Sequence, residues 1–275
     1  MNLMDPDTGK FSYISLKVNS AHIKHRVELD CHWNLKDAIK VFFAYMLLMF
    51  IGMPVIVWFI HALFGLDVQK NIVQQSLMLL ITLIINLLVC SYVFYIVRIE
   101  YRQSITALGL SLVNLLANIR HGIKRYLITL PLIVLAGFIT NLIASLYGQN
   151  PEMQDVVRWV LEEKSLFVLS SLMFFGIVIA PVIEEIMFRG FLQPALKNSF
   201  GGRYAIAITA SLFAAVHMDI FAFVQIFILG MLLGYLYEKT QTLAASIFVH
   251  ILHNSLTLVF LLYFKYFLKG KVPVF

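Results

Sequence analysis

The chain has 275 residues, 60% of them hydrophobic and only 13% charged, with a net charge of +6 and a mean hydropathy of +0.85. Soluble domains carry about 45–50% apolar and about 25% charged residues. That contrast excludes a soluble globular enzyme and a disordered protein, and two cysteines cannot build a disulfide framework. What remains is an all-α, polytopic helical membrane protein. No basic stripe interleaved with aromatics accompanies the positive charge, so nucleic acid is not an expected partner.

Residues 1–37 form a polar segment without the basic-then-apolar pattern of a cleavable signal peptide. The first span is therefore expected to act as an uncleaved anchor. Partial alternation over 11–18 and 23–33 predicts a small β-hairpin turning at Asn19-Ser20. Cys31 and His32 are adjacent, but no second pair stands at ligand spacing, so they read as ordinary residues. From 38 to 275 the chain reads as one helical membrane domain.

A helix needs about 20 apolar residues to cross about 30 Å of hydrocarbon. Uncharged stretches at 41–66, 71–97, 126–151, 165–183 and 240–264 meet that need. Two shorter ones, 204–218 and 220–237, flank Asp219, which gives about seven transmembrane helices. Residues 104–119 are amphipathic and are expected to lie along the interface as a short helix.

Lysine and arginine counts suggest the orientation. The segment up to Lys40 carries six, the next loop one, and the stretch from Arg98 to Arg125 five. By the positive-inside rule the N-terminus is cytoplasmic, and the 197–203 loop lies on the same side. Lys265, Lys269 and Lys271 do not follow that alternation. The expected location is a multi-pass integral membrane protein, in the cell membrane if the source is prokaryotic.

Ionisable residues inside spans are costly and tend to face a cavity or one another. They gather late in this chain. Glu185 and Arg189 are four apart, share a helical face and can pair. Glu184 is turned about 100° away, which leaves one carboxylate free of the pair. A carboxylate in a low-dielectric site is suited to work as a general base. Phe213 and His217 are also four apart, as are His250 and Asn254. If Lys197, Arg203 and Lys239 mark one surface, Glu184 and His217 lie about 20 Å deep and His250 about 16 Å. His253, one step off the His250–Asn254 face, stays outside the expected site. Asp219 reads as a loop or cap residue, Gly230 and Gly234 as a small-xxx-small packing pair, and most phenylalanines as lipid-facing bulk.

Three ordered motifs carry a family resemblance: Glu-Glu-x-x-x-Arg at Glu184, Glu185 and Arg189, Phe-x-x-x-His at Phe213 and His217, and His-x-x-x-Asn at His250 and Asn254. Over about 165–258 the chain resembles the type II CAAX prenyl protease and bacteriocin-processing (CPBP, Abi-like) family of intramembrane endopeptidases. Leu108-Gly109-Leu110 is similar to the family as well; the polar N-terminal segment is not. The resemblance implies a peptide-hydrolysing site in a membrane cavity. Glu184 with His217 would activate a water, His250 with Asn254 would stabilise the oxyanion, and Glu185–Arg189 and Phe213 would support the geometry. The implied partners are the lipid bilayer and a membrane-associated protein or peptide substrate. A zinc shell of Glu184, His217 and His250 is the alternative chemistry. The sequence lacks His-Glu-x-x-His, and asparagine is a poor zinc ligand, so a metal-free glutamate mechanism is expected. The alternative function is a catalytically silent scaffold or bacteriocin-immunity-type protein on the same fold. Retention of every motif residue favours the enzyme.

Overall fold

The computed structural model describes residues 33–65, 72–149, 155–163 and 165–267, and no strand occurs among them. Five helices are long and apolar enough to cross a bilayer: α1 (Leu35–Phe64), α2 (Ser76–Glu100), α3 (Leu115–Leu146), α5 (Leu166–Phe200) and α8 (Leu243–Phe267). Three shorter ones join them: α4 (Asp155–Glu162), α6 (Gly202–Ala215) and α7 (Phe223–Thr240). The expected hairpin and the Cys31-His32 pair lie outside the described residues.

The all-α membrane architecture agrees with the composition, whereas the expected boundaries shift in three places. At 14 residues, α6 reaches about 21 Å and falls short of the hydrocarbon thickness. The fourth span was expected to close at 183, but α5 runs on to Phe200. It can do so because two of the charges beyond that point, Glu185 and Arg189, pair with each other inside the protein. Residues 104–119 do not make a separate interfacial helix. They divide into a 3₁₀ turn at Ile105–Leu108 and the first turns of α3, which begins at Leu115 after a left-handed Asn114. Arg120, Lys124 and Arg125 are exposed near that helix start, where long side chains can reach water from an apolar helix.

Prolines shape α1 and α5. Wide π turns occupy Leu48–Gly52, Phe175–Ile179 and Ile186–Leu192, each ending two residues before a proline: Pro54, Pro181 and Pro194. Proline has no N–H, and its ring collides with the carbonyl four residues back. A turn with i→i+5 bonding opens the helix where that collision would fall, and such bulges concentrate at functional sites. Between the two bulges of α5 lies the short α-helical stretch Ala180–Glu185, which carries both glutamates.

Among the described residues the helices form three packed apolar groups, the smallest of them Val160, Leu169, Leu258 and Leu261 from α4, α5 and α8. The second half of α5 packs with α1 and α2 in one apolar core that includes Val93, Phe188, Phe191 and Phe213. Tyr126, Leu229, Leu233, Leu236 and Val249 form another, from α3, α7 and α8. The outward faces remain apolar: Phe43, Trp58, Leu63 and Leu127 are exposed, as a lipid-facing surface should be. Phe188, Phe191 and Phe213 are each 1% exposed, so these three phenylalanines are core and not lipid-facing bulk.

Gly230 and Gly234 bring α7 close to its neighbours. A Cβ on Gly230 would stand 3.1 Å from Ala210, and one on Gly234 would stand 2.8 Å from the Gln193 Oε1. The close approach exposes two α7 carbonyls to α5. Arg189 donates to the Gly230 carbonyl at 3.2 Å and Gln193 to the Gly234 carbonyl at 3.0 Å. Spacing of four on both helices makes the two bonds a matched pair.

Leu108-Gly109-Leu110 forms a wedge beneath the second bulge. Gly109 is left-handed at φ +85°, and its carbonyl accepts from the Leu243 N–H at 2.8 Å, where α8 begins. Gly190 sits against the Leu108 carbonyl, 2.9 Å from where a Cβ would be. Backbone cannot yield as a side-chain tip can. Gly190→Ala should therefore cost about 1–3 kcal/mol, seen as a lower thermal midpoint in detergent, with Gly176→Ala as the milder control because only Leu258 Cδ1 at 3.8 Å faces it.

Candidate active site

The two glutamates have separate environments. Glu185 is fully buried, and its Oε1 accepts from the Arg189 guanidinium at 2.8 Å and from His250 Nδ1 at 3.1 Å. Arg189, also fully buried, extends over the Phe213 ring, 4.4 Å from its centroid. Its charge is met by a carboxylate, a backbone carbonyl and an aromatic face, which is how a buried guanidinium is accommodated. Glu184 is 22% exposed at its side chain, and its Oε2 lies 3.7 Å from His250 Nε2. Buried Tyr45 of α1 stands within electrostatic reach of Glu184.

His250 thus links the glutamates. A carboxylate can only accept, so the Glu185 contact places a proton on Nδ1 and turns Nε2 towards Glu184. The same reasoning applies to His217, whose Nδ1 lies 2.7 Å from the Phe213 carbonyl. Its Nε2 is left facing outward on an exposed ring. Phe213 lies between the two imidazoles, its ring centroid 4.8 Å from that of His217 and 5.5 Å from that of His250. Among the described residues His217 makes no ion pair with Glu184; it adjoins the cluster through Phe213. Asn254 donates to the Gly176 carbonyl at 2.8 Å, inside the first bulge of α5. Its amide carries two N–H groups, and this bond uses one.

Glu184, Glu185, Arg189, Phe213 and His250 therefore meet, with His217 and Asn254 at the margins. Three residues of this neighbourhood were not singled out by spacing: Gln193, Gly176 and Tyr45. Gln193 continues the i, i+4 series from Glu185 through Arg189, a signal present in the sequence. The other two depend on which helices adjoin. The remaining polar groups have local roles. Asp219 accepts from the Phe221 and Ala222 N–H groups just ahead of α7, and His253 Nδ1 pairs with the Tyr126 hydroxyl at 3.0 Å.

The donor set can be compared with a metal shell. Among the described residues, no three His, Cys, Asp or Glu side chains come together as a group able to hold a metal ion. Glu184 and His250 approach each other while His217 is turned to its own helix.

Residues 166–256 match the family described as type II CAAX prenyl endopeptidase Rce1-like, about a third of the chain. The chain is 24% identical over 112 residues to the "Putative membrane peptidase YdiL" of Bacillus subtilis, covering 41% of this chain and 44% of that protein. It is 26% identical over 129 residues to the "Membrane-embedded CAAX protease MroQ" of Staphylococcus aureus, covering 44% of this chain and 51% of that protein. The chain thus spans about half the length of the curated relatives it matches. No solved structure matches it. The matched segment coincides with the helices that carry all three motifs.

Proposed function

We propose, from the match of residues 166–256 to the type II CAAX prenyl endopeptidases, that this chain is an intramembrane endopeptidase cutting a membrane-associated protein or peptide. The observation that carries the reading is the division of labour between adjacent carboxylates. Glu185 is consumed by Arg189 and His250, while Glu184 stays partly accessible with one imidazole nitrogen beside it.

In the proposed reaction a water held between Glu184 and His250 loses a proton to Glu184. Its oxygen forms a bond to the scissile carbonyl carbon, and the carbonyl π electrons move to oxygen. His250, carrying a proton on Nε2 as well as on Nδ1, donates from Nε2 to that oxyanion beside the free N–H of Asn254, and the outward Nε2 of His217 assists in orienting the water. Collapse breaks the C–N bond, and the proton on Glu184 passes to the leaving amine. Every step uses this chain's own residues.

The experiment is terminal proteomics of membranes expressing the wild type or Glu184→Gln, with His217→Ala alongside. New termini that vanish in both variants support the reading. Termini that persist in both, with the proteins stably inserted, overturn it in favour of a silent scaffold. On the glutamate mechanism, cleavage by the purified protein should be unchanged by a chelator; loss of activity that zinc restores would contradict it.

A further inference from the structure

The start of α1 is fastened to the glutamate-bearing helix at one well-defined place. Trp33, only 1% exposed, stacks on Phe191 with ring centroids 5.3 Å apart and planes 14° apart. Its indole Nε1–H donates to the Phe191 carbonyl at 2.8 Å. This contact lies at the end of the Ile186–Leu192 bulge, just ahead of Pro194, which brings no N–H of its own. The neighbouring residues hold the same corner: Asn34 donates to the Tyr101 hydroxyl, and that hydroxyl donates to Asp37.

From here a chain of ring contacts leads to the imidazoles. Phe42 of α1 meets Phe188 edge-on at 6.1 Å, Phe188 meets Phe213 at 5.3 Å, and Phe213 touches both His217 and His250. Between α1 and the bulge lies a void of about 10 Å³, lined by Ala38, Val41, Phe42, Met187, Phe188 and Phe191 among others. A close-packed interface transmits displacement because its side chains have little room to absorb it.

We infer that Trp33 is a positioning residue: its bond and stack on Phe191 fix the bulge of α5 and thereby hold Glu185, Arg189 and His250 in register with Glu184. The inference rests on the peptidase reading. It extends the working site to a residue far upstream of the matched segment and gives the start of α1 a part in catalysis.

Two measurements test it. In a Trp58→Phe/Trp159→Phe background Trp33 is the sole indole, and its emission should be blue-shifted and resistant to aqueous quenchers. Water-like, readily quenched emission would overturn the anchor. The second uses the peptide that the wild type cleaves. Trp33→Phe keeps a ring for stacking and loses only the N–H. It should lower kcat about fivefold at unchanged KM, the equivalent of one net hydrogen bond. Trp33→Leu, which removes the stack as well, should lower it about tenfold or more. Thermal midpoints of both variants, read alongside, separate lost geometry from lost folding. Wild-type kcat in both variants, in a protein that Glu184→Gln silences, overturns the positioning role alone. Cleavage that survives Glu184→Gln overturns the peptidase reading itself.

Discussion

Glu184→Gln should abolish peptide cleavage and leave the bundle folded. The substitution keeps the side-chain shape and removes only the ability to take a proton. Among the described residues Glu184 makes no hydrogen bond that helps hold the fold; its close polar neighbour is His250 Nε2 at 3.7 Å. Loss of a general base lowers rates by about 10²–10⁴-fold, which would take turnover beneath detection in membranes. Thermal midpoint in detergent should move little. If the variant instead unfolds, Glu184 belongs to the structural cluster and its assignment as the base is wrong. Aspartate at the same position is a useful companion: it retains the chemistry but withdraws the oxygen by one methylene, and it should keep a small part of the activity.

Arg189→Met should have the opposite character, with a large structural penalty. Both Arg189 and Glu185 are 0% exposed at 2.8 Å, so removing the guanidinium strands a carboxylate inside the protein. Breaking a buried pair on one side costs about 3–5 kcal/mol, a large share of a typical folding free energy of about 5–15 kcal/mol. The variant should accumulate poorly and aggregate on mild heating. The double change Glu185→Gln/Arg189→Met leaves no buried charge and should recover much of that loss, a coupling that a double-mutant cycle measures directly. Activity should not return with stability, because His250 would lose the carboxylate that orients its ring. Full activity in the double variant would show that Glu185 serves only the fold.

Much of this site could be read from spacing. The Glu185–Arg189 pair and the separate Glu184 follow from four residues per shared face and one residue per 100° of turn, rules that hold along any helix. The pairing of Gly230 with Gly234 signals close packing for the same reason. The relation of His250 to the glutamates was less legible. Its spacing suggested a partnership with Asn254, whereas the structure gives its Nδ1 to Glu185 and gives Asn254 to a carbonyl in the first bulge of α5. Both partners lie on another helix, at positions set by a proline-associated widening that shifts every later side chain around the axis.

The sequence by itself determined that this is a helical membrane protein, where its apolar segments fall, and which few polar side chains lie within them. Those conclusions rest on composition and on local periodicity, which need no knowledge of neighbours. Only the tertiary structure decided how those polar groups divide their work: one glutamate neutralised, one left partly exposed, an imidazole between them, and an anchoring tryptophan from the start of α1. Contacts between helices depend on crossing positions, bulges and glycine-sized approaches, which span up to 158 residues of chain between Trp33 and Phe191. No local pattern encodes such a separation; packing sets it.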